Sequence, residues 1–162
     1  MNNSDSFPDE ELLRLSQEYC DLVESQHDLQ IEDLLAKVAA CLSRLYSVAI
    51  GLHYVEPATD ELPDLRIPKE EWMAVWNTLR KKLGAIEGYW TIFEPRELSE
   101  PVQGSLANDL VEIYEDLREN IAFAKSNAQP ADIRWSWRES FNEHWGNHAA
   151  DALKAIYWRT CR

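Results

Sequence analysis

Residues 135–156, WSWRESFNEHWGNHAADALKAI, decide the fold. Steps of three and four residues return to nearly the same angle on a helix, so Trp137, Phe141, His144, His148, Ala152 and Ala155 fall on one face. Trp135, Ala149, Leu153 and Tyr157 make a second apolar surface, and a helix apolar on two sides belongs inside a bundle or at a homodimer contact. Gly146 costs such a helix about 1 kcal/mol relative to alanine, which predicts that another backbone comes close there. Two histidines are left in mid-stripe.

The rest of the chain supports a helical reading. Its 162 residues suit one domain spanning 1–162, five glycines and long 3.6-period patterns argue against a sandwich or barrel, and seven tryptophans provide for a core. The class predicted is all-α, a single-domain bundle of about five helices. Residues 1–6 are polar and expected to fray, and Pro8 followed by Asp9, Glu10 and Glu11 marks the first helix. Leu12, Leu15, Tyr19 and Leu22 form its stripe, and the stripe from Ile31 to Leu52 forms a second helix. Pro57 and Pro63 then make residues 54–67 a connector, and Pro68 opens a third helix that buries Trp72, Val75, Trp76, Leu79 and Leu83 and is capped by Gly84.

Residues 85–104 contain the aromatic run Tyr89 to Phe93 between Gly88 and Pro95. A single strand there would have nothing to pair with, so an irregular aromatic segment packed over the bundle is predicted before helix four. Ser105 caps helix four, whose stripe runs from Leu106 to Ala124, and helix five carries the chain to its end.

Formal net charge is −13, and residues 1–60 carry 12 acids against 3 bases, a balance of −9. Such a field opposes binding to nucleic acid or to anionic lipid, which need basic residues, and favours a basic protein partner. Cys20, Cys41 and Cys161 are odd in number and unclustered, which fits a reducing compartment. No basic leader and no membrane-length apolar run is present, so the expected location is the cytoplasm.

One constellation can carry chemistry. Asp109, Glu112 and Asp116, spaced D-x-x-E-x-x-x-D, put three carboxylates on one flank of helix four, and His144 and His148 put two imidazoles on one face of helix five. Nitrogen and carboxylate ligands together suit Zn, Mn or Fe better than Mg or Ca, and an open coordination position would activate water for hydrolysis. The competing reading makes both histidines core residues hydrogen-bonded to those carboxylates, with no cofactor. H-W-G-x-H lacks the glutamate of H-E-x-x-H, and phosphate loops, dinucleotide fingerprints and nucleophile elbows are absent. His27 and His53 lie near helix ends as surface residues.

Tyr89-Trp90 with Phe93-x-Pro95, Ser105-Leu106-Ala107-x-Asp109-Leu110 with Ile113-Tyr114-x-Asp116-Leu117, and Trp137 through His144-Trp145-Gly146-x-His148-Ala149 together resemble an uncharacterised bacterial family of small helical proteins, a domain of unknown function. The likeness covers roughly residues 89–155 and is most specific at H-W-G-x-H-A. Position 108, acidic in that family's pattern, is Asn108 here, so the resemblance implies one anionic group fewer. It implies a helical fold and no particular activity. Two functions follow as expectations: an acidic protein-binding module, or a metal-dependent hydrolase using His144, His148 and some of Asp109, Glu112 and Asp116.

Overall fold

A computed structural model describes residues 9–161. The expected fraying of residues 1–6 and the helix start at Pro8 lie outside them. The elements are α1 (Asp9–Glu24), α2 (Ile31–Ile50), α3 (Lys69–Leu83), β1 (Gly88–Thr91), β2 (Val102–Ser105), α4 (Leu106–Ala124), α5 (Pro130–Ser140) and α6 (Gly146–Thr160), with a π-helical turn, Phe141–Trp145, joining the last two. The all-α bundle holds, with a two-stranded hairpin as its only sheet among the described residues.

The centre of the bundle is α4, which packs against α1, α3, α5 and α6. Its sequence accounts for this position, because Leu106, Leu110, Ile113, Leu117 and Ile121 are buried on one side and Ala107, Val111 and Tyr114 on another. Ser105 caps it, the hydroxyl accepting from the Asn108 amide at 3.1 Å. Two polar ties fix its neighbours. The buried Tyr19 hydroxyl of α1 donates to the Leu110 carbonyl at 2.9 Å, and the Trp137 indole of α5 donates to the Asn120 carbonyl at 3.1 Å. The connector after α2 has no regular structure and is held by one buried carboxylate, Asp132, which accepts from the Ala58 amide at 2.6 Å, the Thr59 amide at 3.1 Å and the Thr59 hydroxyl at 3.2 Å.

Three local expectations change. The aromatic segment is an antiparallel hairpin with Tyr89 opposite Gly104, because β2 supplies the missing partner strand. Strand alternation sends Tyr89 inward and leaves Trp90 71% exposed, and Phe93, beyond the end of β1, is 79% exposed, so the run is not packed as a whole. On α3 only Leu79 and Leu83 are fully buried, while Trp72 and Trp76 are half-buried and stack on each other with ring centroids 6.0 Å apart.

The third change concerns the long C-terminal helix, which is interrupted in phase. In the π turn the Gly146 amide donates to the Phe141 carbonyl five residues back. The extra residue turns the following helix so that Trp145, 1% exposed, continues the buried line Trp137–Phe141 into Ala149, Ala152 and Ile156. His144 and His148 therefore move off the stripe to the edge of the bundle. The backbone close to Gly146 is that of its own helix: a β-carbon there would stand 2.5 Å from the Phe141 carbonyl oxygen. The second apolar surface is incomplete, with Trp135 and Leu153 half-buried and Tyr157 exposed.

Candidate metal centre

All five predicted residues come together between α4 and α6. On α4, Asp109, Glu112 and Asp116 stand on successive turns, and His144 and His148 face them from the π turn and the start of α6. The two imidazoles lie edge to face with centroids 4.9 Å apart. Each is bound to a different carboxylate through the same ring atom: His144 Nδ1 is 2.8 Å from Asp116 Oδ2, and His148 Nδ1 is 2.8 Å from Asp109 Oδ1.

That pairing divides the carboxylates by role. With Nδ1 of each ring held by an aspartate, Nε2 is the nitrogen left for a ligand, and each aspartate fixes the orientation of its ring. Glu112 lies between them, its Oε2 3.6 Å from His144 Nε2. One ligand atom from each of Glu112, His144 and His148 lies within 4.8 Å of the other two. Ligands about 2.1 Å from a tetrahedral ion stand about 3.4 Å apart, so small side-chain rotations close this triangle. Asp109 and Asp116, expected with Glu112 among the metal ligands, each hydrogen-bond one of the imidazoles.

The site grades from dry to wet. Asp109 is 5% exposed, and burial raises its carboxyl above the usual aspartate range against the opposing pull of the His148 and Tyr89 hydrogen bonds. The His144 side chain is 45% exposed, and its hydrogen bond to Asp116 raises it above the usual histidine value. The expectation of two core histidines thus fails for His144, and His148, with 22% of its side chain exposed, sits at the boundary.

A sixth residue, unforeseen in the sequence, completes the set. The Tyr89 hydroxyl of β1 donates to Asp109 Oδ2, so a chain of hydrogen bonds runs from the hairpin through Asp109 to His148. Burial and the neighbouring Asp109 raise the phenol well above its usual value, and it stays a donor. Its ring lies across β2 where Gly104 has no side chain; a β-carbon there would stand 2.5 Å from Tyr89 Cζ. The sequence signal was strand alternation, which puts Tyr89 and Thr91 on the inner face. Thr91 in turn donates to Asp151 at 3.1 Å, one turn beyond His148.

A family described as a domain of unknown function, DUF5063, matches residues 6–159. The chain belongs to this family. No curated protein matches it. Among solved structures, the crystal structure of protein BF1032 from Bacteroides fragilis is similar, with TM-score 0.79 and 19% identity over 94% of this chain and 91% of that one. At that identity the likeness concerns the fold. No described helix is long and apolar enough to cross a membrane.

Proposed function

We propose that this protein binds a divalent transition-metal ion, Zn, Mn or Fe, through His144, His148 and Glu112, and uses it for hydrolytic chemistry. The observation that carries this reading is the duplicated aspartate–imidazole hydrogen bond, which leaves both Nε2 atoms outside those pairings while a ligand atom of Glu112 lies within 4.8 Å of one from each ring. A structural histidine pair needs a partner for each ring but has no need of a third anionic group at the same point. Three ligands from the protein leave coordination positions for water and substrate, and a metal-bound water gives up its proton near neutral pH. Asp109 and Asp116 hold the imidazoles in their ligand tautomer, and Tyr89 holds Asp109. Calorimetric titration of chelator-stripped protein with zinc and with manganese tests the reading: one site per chain is expected, and heats no larger than those of a Glu112→Ala, His144→Ala, His148→Ala variant would remove it.

A second reading has its own observation. Glu10, Glu18 and Asp21 of α1 line a groove of about 640 Å³ with Leu13 and Leu22 as its apolar part, and against Arg14, which pairs with Glu18 at 3.2 Å, and Lys125 they leave its lining one acid in excess. A basic amphipathic helix suits such a surface, and its capture should weaken as salt rises. Pull-down at low and moderate salt, with a Glu18→Lys, Asp21→Lys variant as control, tests this; salt-insensitive recovery, or recovery unchanged by the variant, counts against it.

A further inference from the structure

The proposed ion would not stand alone. Glu112 is also part of the wall of an open groove of about 690 Å³, formed between α4 and the segment that leads from the connector into α3. The opposite wall carries Arg66 and Lys69, with Trp72 and Met73 as its apolar part, and Glu115 lies one turn from Glu112. Arg66 is already engaged, its guanidinium forked on Asp64 at 3.0 and 2.7 Å. Lys69 has no ion pair among the described residues. The Trp72 ring is fixed in plane by its stack on Trp76.

Charge sets the order of events in this groove. Asp64, Glu112 and Glu115 against Arg66 and Lys69 give the walls a formal charge of −1, and a divalent ion at Glu112 would turn it to +1. That formal charge disfavours an anion without the ion and favours one with it, because opposite charges close together in a partly screened cleft attract. A ligand spanning it would place an oxyanion between the ion and Lys69 and a flat apolar body against Trp72 and Met73. We infer that the groove beside the candidate metal site receives an organic oxyanion of the aryl phosphate class, bound after the ion and positioned by Lys69 and Trp72. This rests on the metal reading above.

Phenyl phosphate and Mn(II) test it directly. Bound Mn(II) is followed by electron paramagnetic resonance, and phenyl phosphate by the broadening of its phosphorus resonance when it sits beside the paramagnetic ion. The expected result is broadening that needs both protein and Mn(II), with phenyl phosphate held at least tenfold more tightly than inorganic phosphate. A Lys69→Ala variant should bind Mn(II) as the natural chain does and lose at least tenfold in phenyl phosphate affinity. Failure to bind Mn(II) overturns the metal reading and this inference with it. Mn(II) binding without phosphorus broadening, or phenyl phosphate affinity unchanged in the variant, overturns this inference and leaves the metal reading standing; equal affinity for inorganic phosphate removes the aryl platform from it.

Discussion

Replacing Asp109 with asparagine separates a metal centre from a structural histidine pair. The substitution keeps the shape and removes the charge that orients His148. Loss of a carboxylate behind a ligating imidazole costs 10- to 100-fold in metal affinity, about 1.4 to 2.7 kcal/mol. The upper end is expected, because Asp109 is 5% exposed and its contact with His148 is little screened. Asp116 is the internal comparison: its partner His144 is 45% exposed on the side chain, so Asp116→Asn should fall at the lower end. Without metal the Asp109→Asn fold should change by no more than about 1 kcal/mol, or roughly 2 to 4 °C in Tm at this chain length, since the amide still bonds Tyr89 or His148 while the charge whose burial was unfavourable is gone. Competition against a chromophoric zinc chelator at pH 7.5 gives the affinities and thermal melting in chelator gives the stabilities. Equal zinc affinity in the natural and Asp109→Asn proteins would refute the division of roles among the carboxylates.

Further outcomes follow from the same geometry. Metal affinity should fall as pH drops through the raised titration of His144, because a proton on that ring displaces the ion; titrations at pH 8.0 and 5.5 check it, and a flat profile contradicts it. In the metal-free protein the same raised value has the opposite sign: its stabilisation is complete below the ordinary histidine pKa and lost as pH rises through the folded value, which denaturant titration against pH will show. Trp145→Ala should cost about 3 to 5 kcal/mol and His144→Ala about 1 kcal/mol or less, since Trp145 holds the buried position created by the π turn; similar losses in urea would contradict the phase shift. Gly104→Ala should destabilise by about 1 to 3 kcal/mol, because its methyl meets the rigid Tyr89 ring, and should weaken zinc binding by moving the phenol off Asp109.

How legible these features were depended on periodicity. The stripes of α1, α2 and α4 and the carboxylate spacing on α4 could be read directly, because a regular helix turns sequence distance into angle. The same arithmetic misplaced the histidines, since one extra residue in the π turn rotates everything after Phe141; Gly146 was its trace, read as contact with a different backbone. The hairpin was hidden for another reason. Pro95 and Pro101 lie between Thr91 and Val102, and no turn signature such as Asn-Gly ties the two strands. With the hairpin unread, Tyr89 had no reason to approach Asp109. Which carboxylate pairs with which imidazole depends on side-chain direction within one helix flank, which spacing alone does not give.

The central claim is best tested by metal content. Protein purified without chelator or affinity tag should contain close to one equivalent of zinc, manganese or iron by elemental mass spectrometry, and a His144→Ala, His148→Ala variant prepared in parallel should contain none. Equal metal in the two preparations, or a folded natural protein that stays metal-free after incubation with each ion and desalting, would contradict the assignment.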